Sequence, residues 1–182
     1  MIIDTIRANK GWGCNIVVSN ERDLLLDTGG GLKKALTGYG LQVTGEPILA
    51  CNVDILSNID LRALVRAYEQ TGASQLVVSE RETQRYLCFD EQDRLCGWTN
   101  IKTGELKGKD GRHLAFSGCQ ILSPEALALL KEMPQDKFSL IDFYLQVMDK
   151  VPLLAFVPTD YRMMDVGKID QIEQAEAFAE SL

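Results

Sequence analysis

Apolar positions along the chain follow two rhythms. The first is the unbroken run: residues 14–19 (CNIVVS), 47–54 (PILACNVD), 74–80 (SQLVVSE), 113–123 (HLAFSGCQILS) and 151–158 (VPLLAFVP). Continuous runs of this length predict strands covered on both faces. The second rhythm is helical. Ile2, Ile3 and Ile6 share one side of a first helix over 2–9, and Leu61, Leu64, Val65 and Tyr68 form the stripe of another. A later helix carries Phe143, Tyr144 and Val147, and a final one, from about Lys168, turns Ile169, Ile172, Ala175 and Phe178 inward. Start and stop signals frame these segments. Ser57 or Asn58 can cap the second helix and Gly72 end it. Ser123, Pro124 and Glu125 open another helix, and Ser139 with Asp142 fits a capping box. Residues 47–80 thus read as a strand–helix–strand unit with a right-handed crossover. Residues 85–100 (RYLCFDEQDRLCGWTN) read as a hairpin turning at 90–93. The pattern predicts one α/β domain over residues 1–182, a mostly parallel sheet flanked by helices, with a β-hairpin insertion.

Composition narrows the function. Hydrophobic residues make up 46 % and charged residues 25 % of 182, the balance of a globular domain with a real core. A net charge of −7 argues against a basic nucleic-acid surface. An acidic protein can still hold phosphates through a metal ion. The five cysteines are odd in number and none forms CxxC. They predict reduced thiols and a cytoplasmic setting, with Cys51 and Cys119 packing as small hydrophobes. The first residues are too few and too charged for a signal peptide, and no run is long enough to span a bilayer, so no membrane partner is expected.

Three places could carry chemistry. Asp54 lies just past the carboxyl end of a strand, where open α/β sheets bind ligands. It is a hard oxygen ligand suited to Mg²⁺, or else a loop aspartate near a helix start. Asp165, in YRMMDVGK, sits among apolar residues, where a buried charge needs a partner or a metal. The alternatives are a cap on the final helix or a pair with Lys168. Gly29, Gly30 and Gly31 follow Thr28 at a helix start, where backbone N–H groups can approach a ligand closely. A tight turn explains them equally. Asp142 is accounted for by its capping box, Gly118 is a bulge or a point where a ligand meets a strand, and His113 reads as structural. No Ser/His/Asp or Cys/His set and no zinc spacing stands out.

Read in order, ERDLLLDTGGGLKKAL, ILACNVDILSNIDLRAL, FSGCQILSPEAL, FSLIDFYL and MMDVGKIDQIEQAEAF resemble the sugar-phosphate nucleotidyltransferase family. The nearest branch is the N-acetylmuramate-1-phosphate uridylyltransferase and mannose-1-phosphate guanylyltransferase type. The resemblance implies a Rossmann-like fold of the nucleotide-diphospho-sugar transferase type. It implies formation of an NDP-sugar from an NTP and a sugar 1-phosphate. Asp54 and Asp165 would hold Mg²⁺, Thr28 and Gly29, Gly30 and Gly31 would lie against the nucleotide, and Gly118 and Asp142 would face the sugar. Positioning and charge neutralisation would supply most of the rate.

The resemblance has one large departure. The family opens with a strand and a glycine-rich loop of the form GxGTRxxPLT, followed by a lysine, which clamps the triphosphate. This chain opens in what would be the helix after the second strand, and Val53 stands where the family has glycine. The expectations are an N-terminally incomplete domain with little or no turnover by itself and no catalytic Arg or Lys. The alternative is a non-catalytic nucleotide-sugar-binding module. The strand over 47–51 would lack a neighbour, so either residues 14–19 shift into the gap or a homodimer forms through the exposed edge.

Overall fold

Ser74 to Ser79 is buried on both faces, and it forms β3 (Ser74–Ser79) deep within the sheet, with Val77 facing one core and Leu76 and Val78 the other. The computed structural model describes residues 2–38, 45–167 and 172–182. Around β3 stand β1 (Ile48–Cys51), β4 (Arg85–Phe89), β5 (Leu95–Asn100), β6 (Glu105–Gly108), the long β7 (Arg112–Leu122) and β8 (Leu153–Phe156). Their order is β6-β5-β4-β7-β3-β8, and β1 pairs β7 as well. β7 is antiparallel to β1, β3 and β4, and β3 is parallel to β8. β5 reverses on both β4 and β6. Five of the seven strands (β1, β3, β4, β6 and β8) therefore share one direction, with β5 and β7 opposed. Among the described residues only β3–β8 is a parallel ladder, so this is a mixed α/β sheet flanked by helices, with a common direction for most strands but mostly antiparallel pairing.

Helices cover both faces. On one, α2 (Asp27–Gly38), α4 (Pro124–Lys131) and α5 (Leu140–Val147) bury Leu36, Leu127, Leu130, Phe143, Tyr144 and Val147 against the sheet. On the other, α3 (Leu61–Thr71) contributes Leu64 to a smaller cluster with Val77, Cys119 and Ile121. α1 (Ile2–Ala8) buries no residue fully, and α6 (Ile172–Glu180) keeps Ala175 and Phe178 half-buried. The predicted onset of this last helix at Lys168, with Ile169, and the side chain of Ile172 lie outside the described residues.

Three differences from the sequence reading have physical causes. Residues 14–19 are not a strand. The chain reaches them through left-handed conformations at Lys10, Gly11, Trp12 and Gly13, and no ladder partner meets them among the described residues, so Ile16 and Val17 stay 41 % and 48 % exposed. An apolar run becomes a strand only when its N–H and C=O groups find partners. Nor do these residues fill the other edge of β1, which among the described residues pairs only β7. The cap of α3 is Asp60, whose Oδ1 accepts from Arg62 N at 2.9 Å and Ala63 N at 3.1 Å. Asn58 is engaged elsewhere. Finally, β6 turns the predicted hairpin into a three-stranded meander, and two short strands, β2 (Ile55–Ser57) and β9 (Met163–Asp165), form a separate ladder.

The caps at Ser123 and Ser139 stand as predicted. Ser123 Oγ accepts from Ala126 N at 3.3 Å, and its own N–H donates to Ser74 Oγ at 2.9 Å. Ser123 is buried, so water cannot replace the lost acceptor in Ser123→Ala. We expect that substitution to cost about 1 kcal/mol in denaturant unfolding, with the midpoint falling and the slope unchanged.

Candidate functional site

The two aspartates meet because the β2–β9 ladder zips their segments together. Ile55 is registered opposite Asp165, Leu56 opposite Met164 and Ser57 opposite Met163. The ladder is closed at one end by Val166 N, which donates to Asp54 O at 2.8 Å. Asn58 closes the other: its N donates to Arg162 O at 3.2 Å, its Oδ1 accepts from Arg162 N at 2.8 Å, and its Nδ2 donates to Asp160 O at 3.0 Å. Asp54 and Asp165, 111 residues apart by their numbers, are thereby neighbours in space.

Gly167 shows how near. A Cβ placed on it would lie 3.2 Å from Asp165 Oδ1 and 3.3 Å from Asp54 Oδ2. Glycine leaves open the space that both carboxylates face. Gly167 N donates to Asp165 Oδ1 at 2.9 Å, which orients that carboxylate. Both aspartates are exposed, so the burial argument made for Asp165 does not hold. Its neighbours Met163 and Met164 are half-buried, while the strand end carries the carboxylate out to solvent.

Gly118 occupies a bulge in β7. The register with β3 shifts between Leu76 and Val78, and Gly118 has φ +71°. Asn52 lies over it: Asn52 N donates to Gly118 O at 2.7 Å, and a Cβ at 118 would sit 2.8 Å from Asn52 Nδ2. Gly118 is therefore both a bulge and a point of close approach, but the group that approaches is a side chain of this protein. Asn52, Ser57, Ser117, Gly118 and Tyr161 border a cavity of about 290 Å³. Tyr161 also borders a larger one of about 570 Å³ that includes Arg81 and Arg162. Val53, between Asn52 and Asp54, is fully exposed.

The three glycines lie inside α2 rather than in a loop before it. Gly29 N and Gly30 N both donate to Phe138 O, at 3.0 Å and 3.1 Å. A Cβ on Gly29 would meet the Phe138 ring, one on Gly30 the backbone carbonyl of Asp136, and one on Gly31 the carboxylate of Glu21. Thr28 Oγ1 accepts from Leu140 N at 3.0 Å, and Lys33 Nζ donates to Met133 O at 2.7 Å and Gln135 O at 3.1 Å. Close approach is what the glycines allow; the segment over 136–138 makes it at Gly29 and Gly30, and Glu21 makes it at Gly31.

Asp142 keeps its capping box: Ser139 Oγ donates to Asp142 Oδ2 at 2.8 Å, and Asp142 N donates to Ser139 Oγ at 3.1 Å. His113 stacks on Tyr86 with ring centroids 5.7 Å apart, and its Nε2 lies 2.6 Å from Asp110 Oδ1. That bond, with a second from Gly111 N, holds the Asp110 carboxyl below its ordinary value of 3.8. A lowered carboxylate stabilises the fold above its unfolded pKa, and the contribution is lost as pH falls through the lower folded value. Asp110→Asn should therefore make the melting temperature less sensitive to pH below about 4. A melting series in acetate and formate buffers checks this, and an unchanged acid limb counts against it.

The sequence reading missed Asn52 and Tyr161, and gave Asn58 only a capping role. Asn52 and Asn58 were legible as polar residues flanking Asp54. Nothing local signalled that Asn58 would tie residues 160–162 to β2, because that bond pairs positions more than 100 residues apart.

No family model matches the chain, and no curated protein matches it. Solved structures do. HddC from Yersinia pseudotuberculosis, complexed with GMP-PN, superimposes with a TM-score of 0.65 at 22 % identity over 97 % of this chain and 73 % of that one. A Bacillus anthracis protein in complex with a sucrose, provisionally assigned as a glucose-1-phosphate thymidylyltransferase, gives 0.74 at 10 % identity over 100 % and 72 %. UDP-glucose pyrophosphorylase complexed with UDP-glucose gives 0.68 at 16 % identity over 99 % and 74 %. The fold is that of the nucleotide-diphospho-sugar transferases. At these identities the likeness is one of fold, and it agrees with the α/β sheet described above. No helix among the described residues is long and apolar enough to cross a membrane.

Proposed function

We propose that the chain carries a sugar-1-phosphate nucleotidyltransferase site, with Asp54 and Asp165 as ligands of one Mg²⁺ and an NTP and a sugar 1-phosphate as substrates. The observation that supports this best is the convergence of the two carboxylates on the space left open by Gly167. Two exposed carboxylate oxygens suit a hard cation that keeps waters and takes its remaining ligands from phosphates. The ion would supply charge neutralisation for the phosphates being exchanged.

The chain's own groups do the rest. Gly167 N–H and the β2–β9 ladder fix the Asp165 carboxylate, so little reorganisation is needed when a cation arrives. The Asn52–Gly118 contact shapes a cavity also lined by Ile55, the residue after Asp54, and we assign the sugar to that cavity with Gly118 at its wall. Asp142, at the start of α5, is a second sugar-facing candidate. On the nucleotide side we place Thr28 with Gly29, Gly30 and Gly31, the glycines acting through the shape of α2, since their own faces are taken by Phe138, Asp136 and Glu21. The unpaired edge of β1 offers itself to a second copy of the chain, which light scattering would register as a dimer.

The test is a panel of UTP, GTP and CTP against several sugar 1-phosphates with Mg²⁺, following pyrophosphate release and direct binding of the NDP-sugars. Mg²⁺-dependent product or binding that Asp165→Asn removes supports the proposal. Absence of both product and binding across the panel overturns it.

A further inference from the structure

Cys51 and Cys119 lie directly opposite one another on β1 and β7, and their Sγ atoms are 3.0 Å apart. The register explains the closeness. Asn52 N donates to Gly118 O at 2.7 Å, so Asn52 and Gly118 form a hydrogen-bonded pair. Antiparallel ladders alternate, and the next pair, Cys51 with Cys119, is therefore a non-hydrogen-bonded one. Such pairs bring Cα atoms to about 4.5 Å and side chains closer than their neighbours. That spacing lies inside the range that a disulfide spans, about 4.4–6.8 Å between Cα atoms. Closing the bond needs the sulfurs to approach by only about 1 Å, to the ordinary length of about 2.05 Å.

The surroundings set an order of events. Cys51 ends an edge strand and is exposed, whereas Cys119 is buried at 6 % exposure. Burial first, and then the neighbouring Cys51 thiol, push the Cys119 thiol well above its ordinary value. The buried Tyr144 hydroxyl is the other titratable group at Cys119. A reagent in solution therefore meets Cys51 first. Among the described ladders no other cysteine lies opposite a cysteine: Cys88 is buried opposite Gly97 and His113, Cys96 Sγ donates to the backbone oxygen of Cys88 at 3.3 Å, and Cys14 is exposed. The apolar runs around them predict that both Cys51 and Cys119 pack as small hydrophobes, but only Cys119 is buried.

We infer that Cys51 and Cys119 are a reversible thiol–disulfide site whose oxidant is a small soluble disulfide of the glutathione class. The Cys51 thiolate attacks one sulfur of the oxidised reagent, forming a mixed disulfide and releasing one reduced thiol. Cys119 then gives up its proton and attacks the Cys51 sulfur, forming the Cys51–Cys119 bond and releasing the second reduced thiol. Two protein thiols are oxidised and one external disulfide is reduced to two thiols. The bond ties the end of β1 to the bulge in β7, next to Asn52 and two residues before the Val53–Asp54 pair begins to project. It holds whether or not the nucleotidyltransferase reading does, since it concerns only the chain's own thiols.

The test is incubation of the full chain with oxidised glutathione, followed by intact mass, thiol counting in denaturant and tryptic mapping. Cleavage after Lys34, Arg62, Arg112 and Lys131 leaves each cysteine alone in its peptide, 35–62 and 113–131. The expected result is loss of two of the five thiols, a mass lower by two hydrogens, and those two peptides linked until a reductant separates them. Cys119→Ser should instead hold a stable glutathione adduct on Cys51, and Cys51→Ser should leave Cys119 unmodified. A lasting adduct on Cys51 of the unaltered chain, a bond joining other cysteines, or five thiols that all stay free would each overturn the inference.

Discussion

Gly30→Ala unfolds at a temperature lower by roughly 2–12 °C than the parent chain. The added methyl would run into the backbone carbonyl of Asp136, with Leu26 Cβ at 3.0 Å on another side. Backbone cannot swing aside as a side chain can, so α2 must move away from residues 136–138. That motion weakens the bonds from Gly29 N and Gly30 N to Phe138 O. Overpacking of this kind costs about 1–3 kcal/mol, and 1 kcal/mol moves the midpoint of a domain this size by about 2–4 °C. Gly31→Ala is the control. Its methyl would meet only the end of the Glu21 side chain, so its loss should be much smaller. Differential scanning calorimetry of the two variants separates them. Equal losses would mean that the close approach of residues 136–138 does not govern this helix start.

Asp54→Asn lowers divalent-cation affinity by at least about tenfold, and Asp165→Asn does the same. Each replaces one of two carboxylates in a site whose affinity scales with ligand charge. Both residues are exposed, and Asn keeps their shape, so the melting temperature should stay within about 1–2 °C. Gly167→Ala gives a third reading of the same geometry. Its methyl would stand 3.2–3.3 Å from both carboxylate oxygens, filling the space a cation would use while removing no ligand. Mn²⁺ titration followed by electron paramagnetic resonance measures all three. Unaltered Mn²⁺ affinity in Asp54→Asn and Asp165→Asn would dissociate the aspartates from any metal.

Much of this site was legible in the sequence for reasons that can be named. Asp54 announced itself by position, past a continuous apolar run and before a helix. Ser123 and Ser139 were legible because capping is local, decided within four residues. Residues 14–19 misled because their apolar character matches a strand, while strand formation depends on a ladder partner that local sequence does not reveal. Asp165 was found for a mistaken reason. Its apolar neighbours suggested burial, yet a three-residue strand leaves it at an exposed end. What the sequence could not contain was the β2–β9 ladder, which joins segments more than 100 residues apart and decides that the two aspartates meet. The triple glycine reads as a place where a ligand meets backbone, or as a tight turn; the groups that lie against it are the chain's own Phe138, Asp136 and Glu21, and the glycines stand inside α2. Cys51 and Cys119 were visible as residues, and only the register of β1 on β7 made them a pair.

The central claim is that nucleotide binds through a cation held by Asp54 and Asp165. It is tested most directly by titrating UTP, GTP and CTP into the chain by calorimetry, once with Mg²⁺ and once with EDTA. The account predicts binding of at least one nucleotide with Mg²⁺ that vanishes in EDTA and in Asp54→Asn. Binding of equal affinity with and without Mg²⁺, or undiminished in Asp54→Asn, would contradict it.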